Sequence, residues 1–252
     1  MQLDDRVKRE QRSYDSGTVV LESSKLQSRF RHVFESRNTQ YGMRHFTDTL
    51  AKCCPAAVVL DFGCLNGDAV PTYRSYGAHR IIGIDISEKG IARATEKYGD
   101  IAEFHVCDAH NLAFLENETV DCVVGTAILH HLAFEQAIRE VIRVLKKGGK
   151  ALFIEPLYDN PASKVFRALT PKARTPDERP LSRGQIEWAN NQFGSGNHRF
   201  YNLVTTPIAM ITSLLPVSSS NPLLNIADSL DRRLEATRLK YWMRQVVLVW
   251  EK

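Results

Sequence analysis

The stretch Val58-Val59-Leu60-Asp61-Phe62-Gly63-Cys64-Leu65-Asn66-Gly67-Asp68 constrains this chain more than any other. Three aliphatic residues run into an acid, and a glycine turn follows. An uninterrupted apolar run suits a central parallel strand covered on both faces. Gly63 and Gly67 permit a tight turn and close approach of backbone to a ligand. A strand that ends this way and opens a helix delivers a small ligand to the carboxyl edge of a parallel α/β sheet. The following helix has Asn66 or Asp68 as its cap, tolerates Pro71 in its first turn and stops at Gly77.

The same rhythm then repeats. Arg80 to Asp85 reads as a second strand, and Ser87 caps a helix that ends near Gly99. A short third strand, Ala102 to Cys107, leads to Asp108-Ala109. The fourth strand is Val120 to Thr126, and a helix from about Phe134 to Lys147 stops at Gly148-Gly149. Lys150 to Glu155 is the fifth strand, Arg199 to Val204 a sixth, and the β-branched run Gln245 to Trp250 the last. Ahead of this array, Leu26, Phe30, Val33 and Phe34 recur at helical spacing and predict one amphipathic helix. Phe46 and Leu50 predict a second, running toward Pro55. The expected division is a helical cap over residues 1–50 and a domain over 51–252 with insertions at 156–184 and 205–243.

A chain of 252 residues holds one large α/β domain with insertions. The net charge is +4, and one segment has an excess of that size. Between Lys164 and Arg183 it carries Lys164, Arg167, Lys172, Arg174, Arg179 and Arg183 against Asp177 and Glu178. It reads either as a solvated loop or as a contact for an anionic substrate, a lipid headgroup or nucleic acid. Met1 to Glu10 lacks an apolar signal core, and no apolar run reaches the ~20 residues that span a bilayer. The five cysteines lack metal-ligand spacing, so no metal is expected. A cytoplasmic location is the expectation.

Five motifs stand in order: Leu60-Asp61-Phe62-Gly63-Cys64-Leu65-Asn66-Gly67, Gly83-Ile84-Asp85-Ile86-Ser87, Cys107-Asp108-Ala109, Ile128-Leu129-His130-His131-Leu132 and Leu145-Lys146-Lys147-Gly148-Gly149. Together they resemble the class I S-adenosylmethionine-dependent methyltransferases, most of all the branch that acts on small molecules. The resemblance is specific over residues 55–155 and loose over 197–252. It implies a Rossmann-like α/β fold with a seven-stranded, mostly parallel sheet whose last strand is antiparallel, an N-terminal helical cap and lid insertions. It implies S-adenosyl-L-methionine as cofactor and S-adenosyl-L-homocysteine as product. By the same resemblance, Gly63 and Cys64 set backbone against the methionine moiety and Gly67 completes the turn. Asp61 orders that turn and reaches the amino group through water. Asp85 holds the ribose hydroxyls, and Ile86 lies against the adenine. Asp108 accepts from the adenine amino group with Ala109 beside it, while Gly125, Thr126 and Ala127 end the fourth strand near the sulfonium.

Leu65 departs from the pattern, because the family has a middle glycine there. Leucine tolerates positive φ poorly, so Leu65 is expected at an ordinary dihedral. A nicotinamide dehydrogenase is disfavoured, since Asp68 stands where its third glycine belongs and would repel a pyrophosphate. S-adenosylmethionine carries a cationic sulfonium and no phosphate, and an acidic rim suits it.

Methyl transfer needs alignment more than acid–base help, because the cofactor brings its own activation. His130 and His131 follow the fourth strand. One serves as base or orients the acceptor, or else one packs at the next helix and the other faces solvent. Glu155 either binds a cationic or hydroxyl acceptor or pairs with a nearby basic residue. His198 and Arg199 are further candidates. Tyr14, Tyr41 and Arg44 either close over a ligand or belong to core and surface. Leu157, Phe166, Ile208, Met210, Ile211, Leu214, Leu215 and Leu223 in the insertions suit a hydrophobic acceptor, or else pack a lid or a homodimer contact. No Asn-Pro-Pro-Tyr or Asp-Pro-Pro-Tyr motif follows the fourth strand, and no base-stacking pattern is present, so nucleic acid is not the expected partner. Two alternatives stay open: a lipid or glycan precursor at a membrane surface, and a non-methylating module that only binds the cofactor.

Overall fold

The aliphatic run of the glycine-turn motif forms β1 (Val58–Phe62), with Val59, Leu60 and Phe62 fully buried. β1 is central and pairs in parallel with β2 (Arg80–Asp85) on one side and β4 (Val120–Thr126) on the other. β3 (Glu103–Val106) extends one edge. β5 (Leu145–Pro156) pairs in parallel with β4 and antiparallel with β8 (Gln245–Glu251). The order is β3-β2-β1-β4-β5-β8-β6, where β6 is Ser195–Gly196 and β7 (Arg199–Tyr201) also pairs with β8. This computed structural model describes residues 5–170, 175 and 178–252.

Helices cover both faces, as fully apolar parallel strands require. α7 (Phe134–Val144) and α9 (Arg183–Gln192) bury Ile138, Val141, Ile186 and Ala189 on one face. α4 (Arg37–Cys53) and α5 (Val70–Ser75) bury Phe46, Leu50, Val70 and Tyr73 on the other. Each buried Val, Leu, Ile or Phe among them is worth about 1.5–3 kcal/mol. Thus α4 packs on the sheet itself. The remaining helices include α1 (Asp5–Ser16), α2 (Thr18–Arg29), α3 (Arg31–Glu35), α8 (Pro161–Leu169), α10 (Thr205–Thr212) and α11 (Pro222–Leu234); α10 packs on α3 and α11, and α11 packs on α4.

Several sequence expectations are corrected. Among the described residues the sheet has eight strands: the expected sixth is the shorter β7, and β6 is an added two-residue strand ahead of it. The helix before β5 ends at Val144, and Leu145 already pairs with Val120. Gly148-Gly149 therefore lies within β5, where the register shifts between Val120 and Cys122. Neither Asn66 nor Asp68 caps α5; Ala69 stands at its N-cap and Asp68 pairs with Lys97 at 3.3 Å. The predicted amphipathic helix is broken at Phe30, whose φ of −112° and ψ of 45° separate α2 from α3. Ser87 caps its helix as expected, accepting from the Gly90 N–H, and Ser182 caps α9 by accepting from the Gln185 N–H.

Of the basic segment, Lys172, Arg174 and their neighbour Asp177 lie outside the described residues. Within it, Lys164 pairs with Asp159, Arg167 with Glu178 and Arg183 with Glu187. No described helix is long and apolar enough to cross a membrane.

Candidate active site

The carboxyl ends of β1, β2 and β4 enclose a cavity of about 240 Å³. Gly63, Asp85, Ile86, Asp108, Ala109 and Thr126 line it, together with His131. A larger cleft of about 570 Å³ lies at the opposite edge of the sheet, around Lys146, Gly148 and Glu251, and contains none of the candidate residues.

Asp85 ends β2. Its Oδ2 accepts from the Leu65 N–H at 2.9 Å and its Oδ1 from the Ser87 N–H at 2.8 Å. Burial raises its pKa against the pull of those backbone donors. Each oxygen keeps a further lone pair for a ligand hydroxyl. Asp108 Oδ1 accepts from the His110 N–H at 3.0 Å and lies 2.6 Å from His110 Nδ1. Burial pushes its pKa up, but the His110 contacts outweigh that and hold it below the usual carboxylate value.

Asp61 does not line the cavity. It is buried at the end of β1, and burial lifts its pKa to about 7, opposed by a hydrogen bond from Tyr73 and helped by the Asp85 charge. Its Oδ2 is sealed from solvent and has no partner. Such an orphaned acceptor is costly unless a ligand completes it. Gly63 has φ +87°, and a Cβ there would meet Ile128 Cγ1 at 2.9 Å, so only glycine leaves this corner open. The unpaired acceptor, the open corner and the two further acids fit an adenosyl sulfonium with an amino-acid tail.

Besides Asp61, two of the proposed cofactor contacts lie outside the cavity lining. The Cys64 thiol is buried against Gly83, and its N–H already donates to the Ile84 carbonyl at 2.9 Å. Gly67 backs onto Ala94 and Phe104 beneath the turn. Leu65 does adopt positive φ, +46°, against expectation. The family's turn is kept with a leucine in the left-handed region, at a cost of about 1–2 kcal/mol. The Leu65 N–H bond to Asp85 holds it there, and the side chain serves as cavity wall.

At the far end of β4, Ala127 has φ +56° and turns the chain into the 3₁₀ turn Leu129–His131. Glu155 is wholly buried behind this turn. Its Oε1 accepts from the Ile128 and Leu129 N–H groups at 2.9 and 2.8 Å, and its Oε2 lies 2.7 Å from His130 Nδ1. It reaches neither cavity, which corrects the acceptor-binding reading: Glu155 is the partner of His130 and of the turn. His130 is buried against it, and His131 alone of the pair lines the cofactor-sized cavity. His131 Nε2 is 3.2 Å from the Tyr14 hydroxyl, and its Nδ1 is 3.2 Å from Glu10 Oε2. The Thr175 hydroxyl donates to Glu10 Oε1 at 2.5 Å.

Glu10 and Val7 escaped the sequence reading, though with Tyr14 they fall on one face of α1 at helical spacing. His110 escaped it as well; its position two residues after Asp108 was the only signal. Of the other candidates, Tyr41 and Arg44 lie exposed on α4, and Arg199 sits 6.0 Å above the Tyr41 ring. His198 bridges Asn190 and the Val249 N–H near the opposite edge. None of these four lines the cavity.

A second cavity of about 300 Å³ lies between α2, α3 and the end of β5. Leu157, Phe166 and Met210 line it with Leu26, Phe30 and Phe34. Among the other insertion residues, Ile208 packs into a small cluster, while Ile211, Leu214, Leu215 and Leu223 are exposed. Glu178 belongs to this second wall and His131 to the first. Ligand-capable atoms of His130, His131 and Glu178 lie within 4.8 Å of one another, so a thin polar partition divides the two spaces.

Residues 60–153 match the family model described as a methyltransferase domain. A tRNA (carboxymethyluridine(34)-5-O)-methyltransferase of Xenopus tropicalis is 32% identical, over 54% of this chain and 22% of its own length. The 27-O-demethylrifamycin SV methyltransferase of Amycolatopsis mediterranei is 30% identical, over 46% of each chain. This chain thus spans less than half of these relatives. The structure of a geranyl diphosphate C-methyltransferase from Streptomyces coelicolor A3(2), with S-adenosyl-L-homocysteine, superposes with a TM-score of 0.57 at 14% identity, covering 83% of this chain and 79% of that one. Residues 60–153 thus carry a methyltransferase domain, set in the Rossmann-like fold that S-adenosylmethionine-dependent methyltransferases share.

Proposed function

We propose that the chain transfers a methyl group from S-adenosylmethionine to a small, largely apolar acceptor. One observation carries this reading: the acid-lined cavity at the strand ends and the apolar chamber beside it meet at His131 and Glu178. A cofactor in the first and an acceptor in the second would face each other across that partition.

The bound cofactor supplies an activated methyl group. The chain's own residues do the rest. Asp85 would take the ribose hydroxyls, Asp108 the adenine amino group with Ile86 and Ala109 alongside, and Asp61 the amino group through water. Thr126 and Ala127 close the end nearest the partition. His131, held by Glu10 and Tyr14, orients the acceptor and receives its proton when the acceptor is a hydroxyl. Glu155 keeps His130 and the turn rigid, so the near-attack geometry holds. α1 screens the site from water.

The membrane-surface alternative draws little support from the basic segment, whose Lys164, Arg167 and Arg183 are all paired with acids. A small acceptor is favoured over tRNA by the apolar lining of the chamber, although a relative carries tRNA in its name.

The test is cofactor binding and turnover on a panel of apolar phenols, quinols, amines and a tRNA pool. Release of S-adenosylhomocysteine with a small acceptor is expected. Asp85→Ala should weaken cofactor binding by about 1–3 kcal/mol, the cost of hydrogen bonds to a charged acceptor. Unchanged affinity in that variant would falsify the assignment. Tight binding with no acceptor turned over would favour a binding module instead.

A further inference from the structure

Arg244 stands where the chain enters β8, on the wall of the apolar chamber. Its Nε is shut from solvent and has no hydrogen-bond partner. One terminal nitrogen donates to Gln245 Oε1 at 2.6 Å. The guanidinium carbon lies 5.4 Å from the Phe34 ring centroid, a contact that attracts the charge and offers no lone pair. Glu178, the acid on the same wall, is engaged by Arg167 at 2.5 Å. Among the described residues no carboxylate pairs with Arg244, and burial pulls its pKa below the ordinary arginine value. A guanidinium nonetheless keeps its proton in proteins.

A half-buried guanidinium with a sealed Nε and no counter-charge is costly, and the usual solution is an anion held by paired N–H bonds. No described residue supplies that anion. The rest of the chamber is largely apolar, with Phe30, Phe34, Leu157, Phe166 and Met210, and adds the uncharged Ser23, Gln27, Ser163 and Thr206 to the Arg167–Glu178 pair.

We propose that Arg244, seconded by Gln245, anchors an anionic oxygen group, carboxylate or phosphate, on an otherwise apolar ligand seated in this chamber. The name acceptor for that ligand rests on the methyl-transfer reading above. The anion subsite itself does not.

The experiment uses three probes of one chain length on the full chain: decanol, decanoate and decyl phosphate. Binding is measured by calorimetry, with S-adenosylhomocysteine titrated separately. The intact protein should bind at least one of the two anions about tenfold or more tightly than decanol, as expected of a charge-assisted pair. A preference for decanoate or for decyl phosphate identifies which headgroup the subsite takes. Arg244→Met should abolish the preference while decanol and S-adenosylhomocysteine bind as before. Its melting temperature without ligand should stay level or rise, because the charge removed has no partner. Arg244→Lys keeps the charge but loses the fork, and should retain part of the preference. Equal binding of all three probes by the intact protein, binding of none, or a preference that survives in Arg244→Met overturns the proposal. Loss of S-adenosylhomocysteine binding by the intact protein would instead sink the methyl-transfer reading and leave the subsite standing.

Discussion

Asp61 is a carboxylate whose chemistry differs sharply from its free state. Burial lifts its pKa to about 7, so near neutrality it is poised between two forms. With the native value above the unfolded one of about 3.8, its contribution to stability is whole below that lower value and is lost as pH rises through about 7. Cofactor binding has the opposite preference, because an ammonium group wants the ionised acid. Affinity for S-adenosylhomocysteine should therefore rise as pH climbs toward about 7 and then level off, with proton release on binding below that point. Asp61→Asn should flatten the profile and stabilise the free protein at alkaline pH. Calorimetry in buffers of different ionisation enthalpy measures the released proton, and a pH-independent affinity in the parent protein would remove Asp61 from the site. Leu65 teaches a lesson at the same scale. The missing glycine suggested an altered dihedral, yet the chain keeps φ +46° there. The demand of the fold, expressed through the Asp85 bond, outweighs the local preference of the side chain.

At the scale of elements, the repeated βα pattern was legible because its apolar runs are continuous and its turns carry glycine. The lid was not. α10, α11 and α4 are joined by Asp231, which is fully buried. Its Oδ1 accepts from the Val204 N–H at 2.7 Å, and its Oδ2 from the Thr205 N–H at 3.0 Å and from Asn38 at 3.3 Å. Nothing in the spacing of residues 38, 204 and 231 announces this junction. Asp231→Ala should cost about 2–4 kcal/mol, since it strands several buried donors at about 1–3 kcal/mol for each such group. Denaturant titration checks this, and a loss under about 1 kcal/mol would mean the lid does not depend on that knot. α1 shows the same limit. Its docking on α6 (Glu88–Tyr98), where Asp15 accepts from the Ser87 hydroxyl at 2.5 Å, is what brings Glu10 and Tyr14 to His131.

For the whole molecule, acid sensitivity follows from histidines that fold in neutral. Burial pushes His198 down to about 4, with the Lys240 charge adding to it. The unfolded residue titrates near about 6.5, so the unfolded chain binds a proton that the native one refuses. Stability should fall as pH drops from about 6.5 to about 4 and change no further below that on this residue's account. His198→Gln should remove part of that slope. Urea unfolding at several pH values reads it, and an unchanged slope would put the acid sensitivity on other groups.

The succession of strands and helices and the acids at the strand ends were written in the sequence, and the class of cofactor followed from the motifs' resemblance. They depend on neighbours within about ten positions, and turn chemistry and apolar runs are local properties. The roles of the histidines and Glu155 were decided only by the tertiary structure. Burial and pairing arise between residues 10, 131, 155 and 178, which only the folded chain brings into contact. The unpaired guanidinium of Arg244 belongs to that second kind, because a missing partner is a property of surroundings and has no signature in the residue itself.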